Sequence, residues 1–251
     1  MTSAPVTPTP DVAPLSEPAR IVDTFIAPSK TFTDIRRSAA WWGPFLIMVI
    51  LSLAFSYTVD TKVGFRKVVE HQIERSPKAS QRLEQLSREE RNNALNGQAK
   101  GTRGFMYAFP VVILLWNLLI AAILFGTMKL GLSAELSFSA TFAVVMYAGL
   151  VQVVRTILGI VSLYAGLDPD SFNLQNVAPT NLGYFLSPGG SPFLYSIATA
   201  LDLTMIWTLC LTALGLSIIS KKVKLSTALA VVFGWFAIFV IGSAALAAAF
   251  S

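Results

Sequence analysis

Five apolar stretches constrain this chain more than any motif in it. A helix rises 1.5 Å per residue, so crossing roughly 30 Å of hydrocarbon takes about 20 mostly apolar residues. Residues 41–59, 105–128, 136–163, 192–219 and 225–250 each meet that requirement. Composition agrees: the chain is 54% hydrophobic and only 13% charged, against about a quarter charged in a soluble domain. The expected fold is all-α, a polytopic membrane helical bundle of about five transmembrane helices with short amphipathic helices at the interface.

Residues 1–17 are rich in Pro, Thr, Ser and Ala. Such a segment buries too little apolar surface to offset its ordering entropy, so it reads as a disordered tail ahead of a membrane domain over 18–251. It lacks the basic stretch and apolar core of a signal peptide. Farther on, Ile21, Val22, Phe25 and Ile26 share one helical face, Pro28 interrupts, and Ser29 is placed to cap a second short helix carrying Phe32 and Ile35. Both helices are too short to span and are expected to lie in the interface plane. Trp41 and Trp42 anchor the first span at the interface. Pro44 and Pro110 are expected in the first turns of their helices, where a missing N–H costs little.

The polar insert, residues 60–103, carries ten Lys/Arg and six Asp/Glu. Phe65, Val69 and Ile73, then Leu83, Leu86 and Leu95, recur at helical spacing. Ser76 before Pro77 reads as a helix start, Ser87 with Glu90 as a capping box, and Asn96-Gly97 as a stop. Two or three amphipathic helices follow, packed on the membrane face or on a partner.

Several chemistries lack their residues. The only cysteine is Cys210 and the only histidine is His71, which leaves no disulfide framework, cysteine zinc site or paired-histidine metal motif. Pro188-Gly189-Gly190-Ser191-Pro192 has no lysine with which to cradle a phosphate and reads as a turn. The net charge of +5 is spread beside the apolar runs rather than gathered on one soluble domain. That pattern suits lipid headgroups and not nucleic acid. No catalytic residue, cofactor or metal is expected. The expected partners are the bilayer and either another membrane protein or a second copy, the last because Gly242-Ser243-Ala244-Ala245 would let helices approach closely.

Lys and Arg in short loops set orientation. Arg36 and Arg37 precede the first span, Lys129 follows the second, and Lys221, Lys222 and Lys224 separate the fourth and fifth. The loop over 164–191 has none, only Asp168 and Asp170. A cytoplasmic N-terminus and an outside C-terminus satisfy all four observations and put the insert outside. Arg36, Arg37, Lys221, Lys222 and Lys224 are then candidate contacts for anionic headgroups, at about 1 kcal/mol each.

Two charges fall inside spans, Arg155 and Asp202, at a cost of roughly 3 kcal/mol each. Counted from the shared end of their helices, both lie about 12–14 Å deep. Matched depth predicts an ion pair that either fixes helix register or lines a proton- or solute-coupled cavity. Gln152 and Asn117 fall at similar depth and complete an intramembrane polar cluster. The leading functional reading is a non-catalytic scaffold, as an accessory subunit of a membrane or transport complex or as a bilayer organiser. The alternative is a small channel or transporter built on the Arg155–Asp202 pair.

Three stretches carry a family resemblance. Phe25-Ile26-Ala27-Pro28-Ser29-Lys30-Thr31-Phe32-Thr33-Asp34-Ile35-Arg36-Arg37, followed by Trp41-Trp42-Gly43-Pro44-Phe45, resembles the entry of bacterial proteins of the Yip (Ypt-interacting protein, or Yip-one) domain family. The run from Phe138 to Ala148 is similar to the family's third span. Leu201-Asp202-Leu203-Thr204-Met205-Ile206-Trp207, leading to Ala213-Leu214-Gly215-Leu216-Ser217, is similar to its fourth and is the most specific piece. The resemblance covers roughly residues 20 to 245. It implies five spans, a cytosolic N-terminus and no catalytic residues. Eukaryotic members bind small GTPases and shape membranes in vesicle trafficking. The Trp-Trp-Gly-Pro-Phe stretch stands where those members carry a more acidic motif, which argues against GTPase binding. The bacterial branch implies a bacterial inner membrane.

Overall fold

Five helical segments are long and apolar enough to cross a membrane, as their composition requires: Trp42–Lys62, Arg88–Gly131, Phe138–Tyr164, Leu203–Ser220 and Leu225–Ala248. The computed structural model describes residues 14–74, 76–186, 191–220 and 222–250. Among them there is no β-strand. The helices are α1 (Glu17–Ile26), α2 (Pro28–Ile35), α3 (Trp42–Lys62), α4 (Phe65–Glu74), α5 (Pro77–Glu84), α6 (Arg88–Gly126), α7 (Phe138–Gly149), α8 (Gln152–Tyr164), α9 (Pro192–Ala200), α10 (Leu203–Ser220) and α11 (Leu225–Phe250). A π-helical turn over Thr127–Gly131 extends α6.

The centre of the bundle is α7, where every residue from Thr141 to Ala148 is buried. It packs against α2, α3, α6 and α10. Gly215 of α10 makes the closest approach, because a Cβ there would meet Val144 at 2.5 Å and Phe32 at 3.0 Å. A second cluster, with Val59, Phe65, Val68, Met106, Leu163 and Phe172, joins the bundle to the polar insert. By contrast α11 exposes Ile238, Phe239, Ile241 and Leu246, the surface that lipid would cover.

The chain entry differs from expectation. Helix α1 begins at Glu17, capped by Ser16, so the last residue of the expected tail is helical; residues 1–13 lie outside the described ones. Pro28 itself opens α2 after Ala27, and Ser29 is not the cap, since a proline at the first helical position gives up no hydrogen bond. The two helices pack on the bundle. They form a hairpin beside α10, with Phe32 against Gly215 and Phe25 edge-on to Trp207 at 5.9 Å. Those contacts are eight residues, about 12 Å, apart along α10.

The insert starts as expected. Ser76 caps α5 before Pro77, and Ser87 with Glu90 forms the capping box of α6. Asn96-Gly97 does not stop α6, which continues for 39 residues. The Arg66 guanidinium occupies the side-chain oxygens of Asn92 and Asn96, at 2.8 and 3.0 Å, and Leu95 is buried. Tertiary contacts thus override a local stop signal.

Because α6 starts so early, Pro110 lies in its interior and not in a first turn. An interior proline leaves the carbonyl four residues back without its N–H, here that of Met106. The hydroxyl of Ser56, on α3, reaches that carbonyl at 3.0 Å while also lying 2.8 Å from its own helix's Ser52 carbonyl. The defect in one span is thus covered by a neighbour, as hydrocarbon demands.

Ser56→Ala is expected to lower stability in detergent by about 1–2 kcal/mol. In a Pro110→Ala background the loss should shrink, because the introduced alanine restores an N–H for the Met106 carbonyl. Unfolding curves of the four proteins check this, and equal losses in both backgrounds would remove Ser56 from that role.

Candidate functional site

The fourth expected span, 192–219, is two helices. The backbone leaves the helix at Leu201 and Asp202 between α9 and α10. Asp202 is 3% exposed, and its oxygens are fully engaged. Oδ1 accepts from the backbone N–H of Thr204 at 2.8 Å and of Met205 at 3.3 Å, and from the Thr204 hydroxyl. Oδ2 accepts from the Thr180 hydroxyl and from the Asn181 amide. The Leu203 N–H donates to the Thr180 carbonyl at 2.8 Å. Asp202 therefore serves the free N–H groups that start α10 and ties them to the segment over 172–186.

That segment is drawn into the bundle. Gly183 sits so close to α9 that a Cβ would lie 2.9 Å from the Thr199 backbone nitrogen. His71 Nδ1 lies 3.2 Å from the Phe172 carbonyl, and Lys67 pairs with Asp170. The segment thus bridges the break in the fourth span to the insert.

Arg155 does not pair with Asp202 among the described residues. It donates to the Gln175 carbonyl at 2.9 Å, and its Nε is buried with no hydrogen-bond partner among the described residues. The two residues do line one cavity of about 330 Å³, where Tyr195, Thr199 and Phe236 also stand. The direct pair fails because nearer donors from Thr180, Asn181 and Thr204 fill the carboxylate's acceptor sites. Gln152 joins the same network, donating to the Thr208 hydroxyl at 2.9 Å and accepting from Thr204 at 3.4 Å. Asn117 does not join it: its amide donates to Ile113 of its own helix.

The sequence reading missed a second polar centre, at the base of the hairpin. Arg20 is 2% exposed. Its Nε donates to Asp34 at 2.5 Å and a terminal nitrogen to Glu17 at 3.3 Å. Tyr147, near the C-terminal end of α7, donates to Glu17 at 2.7 Å, and Arg37 donates to Asp34 at 2.9 Å. Burial pushes the Asp34 carboxyl up, but the hydrogen bonds from Arg37 and Arg20 outweigh it and hold the group below its ordinary value. For Arg20, burial pulls down while Tyr147 and Asp34 push up and prevail. Gly43 belongs to this centre, because a Cβ there would strike the Glu17 carboxylate at 2.6 Å.

The candidate headgroup cations fall at one end of the bundle. Arg36 and Arg37 line a groove there with Lys129, Lys222 pairs with Glu135, and Lys224 is exposed. Lys221 lies outside the described residues, as does most of the Pro188–Pro192 turn. Among the described residues no three His, Cys, Asp or Glu side chains converge as a metal site would require.

A family model described as the Yip1 domain matches residues 22–246. No curated protein matches the chain, and no solved structure does.

Asp202→Ala strands several buried donors and is expected to cost on the order of 3 kcal/mol, whereas Arg155→Gln should stay within about 1 kcal/mol. Thermal unfolding of the two variants in detergent checks this. Equal losses would mean that the two charges act as a pair.

Proposed function

The chain belongs to the Yip1 domain family, and on that premise we propose that it is a non-catalytic scaffold in a bacterial inner membrane, an accessory subunit of a membrane complex or an organiser of the bilayer. The observation that carries this reading is the length of α6. Its 39 residues run for about 58 Å, close to twice the thickness of a hydrocarbon core. Pro110 and the apolar run lie in its second half. The first half, with α4 and α5, projects as a charged arm.

The arm is built to meet something other than lipid. Arg82, Glu84, Glu89 and Arg91 are exposed on it, with Leu86 among them. It is also stiffened internally. Arg66 bridges α4 to α6, and Arg103 pairs with Asp60 of α3. A rigid polar platform fixed to a membrane bundle supports holding a second protein. The loop charges support a cytoplasmic N-terminus, which puts the arm and the C-terminus outside.

Transport is a second reading, and one observation favours it. The Arg155 cavity lies beside the break in the fourth span, and discontinuous helices at a polar site are a feature of carriers. Against it, Asp202 is already saturated with donors from its own chain.

Affinity purification of the full chain from native membranes in mild detergent tests the scaffold. The expected result is a stoichiometric membrane partner that is lost when 77–86 are replaced by a Gly/Ser linker. Monodisperse protein carrying only lipid would defeat the reading. For orientation, single cysteines in a Cys210→Ala background would be probed with a membrane-impermeant maleimide on intact cells freed of their outer membrane. Gln85→Cys should label and Ser38→Cys should not; the reverse pattern inverts the topology.

A further inference from the structure

We propose that the groove between the end of α2 and the turn joining α6 to α7 binds one anionic phospholipid by its phosphate-bearing headgroup. The groove holds about 860 Å³ and is walled by Arg36, Arg37 and Lys129. Arg36 and Lys129 have no anionic partner among the described residues. Lys129 only stands over the Phe125 ring, 5.1 Å from its centre. Arg37 shares Asp34 with the buried Arg20. The carboxylate at the rim, Glu135, is engaged by Lys222. The groove therefore keeps an excess of positive charge that the described residues do not neutralise.

Depth and floor identify the ligand as a lipid. Arg36 precedes the apolar run of α3, Lys129 follows that of α6, and Ile219 ends that of α10. All three mark the level where headgroups begin. The floor is apolar, made by Ala134, Leu136, Ala140 and Ile219. Leu130, next to Lys129 in the chain, is 86% exposed, an apolar side chain that an acyl chain could cover. A free phosphate would use the cations and leave that floor wet; a phospholipid uses both. The site is independent of whether the arm holds a protein partner.

Native mass spectrometry of the full chain tests this, with phosphatidylglycerol titrated against phosphatidylcholine of the same acyl chains. Two cations at about 1 kcal/mol each correspond to a preference of about 30-fold for the anionic lipid. Arg36→Gln with Lys129→Gln should bring that preference to parity. Arg36→Lys with Lys129→Arg should keep it, and so should Lys100→Gln on the arm. Unchanged melting of lipid-free protein shows that the double variant is folded. Equal retention of both lipids by the unaltered chain would overturn the proposal, as would a Lys100→Gln loss as large as that of the double variant. Displacement of the lipid by millimolar inorganic phosphate would assign the site to a soluble anion instead.

Discussion

Hydrocarbon offers no hydrogen bonds, so each backbone group that leaves a helix ladder inside the membrane must find a partner in the protein. The irregularities of this bundle follow from that condition. Pro110 frees a carbonyl, and Ser56 of the neighbouring span reaches it. Between α7 and α8 the chain tightens, so that Leu150, Val151, Val153 and Val154 donate to carbonyls three residues back; the third span thereby stays nearly continuous. At Leu201 and Asp202 the ladder breaks outright, and the repair comes from a side chain and from a distant loop. The segment over 172–186 is folded inward because α10 needs its start completed.

Charge obeys the same condition at the other end of the bundle. Helices of ten and eight residues have little stability of their own in water. The α1–α2 hairpin is held to the bundle by Phe32 and Ile35 in the core and by the Glu17 carboxylate on Tyr147, while the pair of Arg20 with Asp34 ties its two helices together. The Thr24 and Thr31 hydroxyls both donate to the Arg20 carbonyl, one from each helix, which fixes the hairpin's register. Removing one partner of so buried a pair typically costs about 3–5 kcal/mol. The network is thus a condition of docking as well as a consequence of it.

The features legible in the sequence are those fixed locally. Apolar run length marks the spans, and serines placed ahead of Pro77 and of Glu90 mark helix starts, because both depend on neighbours a few residues away. The features that were not legible depend on partners far along the chain. Asn96-Gly97 reads as a stop until Arg66, thirty residues earlier, takes up the asparagine side chain. Pro110 reads as a helix start until the capping box at Ser87 shows where α6 begins. Arg155 and Asp202 do line one cavity, but counting residues cannot reveal that Thr180 and Asn181 engage the carboxylate. Arg20 carries no local sign of burial, since the groups that hold it include Asp34, fourteen residues on, and a Glu17 carboxylate anchored by Tyr147.

The hairpin, the groove and the central helix are one mechanical unit. Gly215 lets α2 approach α7 and α10 together, and that approach sets where the end of α2 emerges beside Ile219. Arg36 and Arg37 stand at that point. Arg37 belongs to two systems, since it lines the groove and also binds the carboxylate that anchors Arg20. Arg37 thereby links the groove wall to the ion pair that ties α1 to α2. The groove and the seat of the hairpin therefore share residues. The small residue at 215 matters to both, because without it α2 would not reach the bundle and the groove would lose one wall.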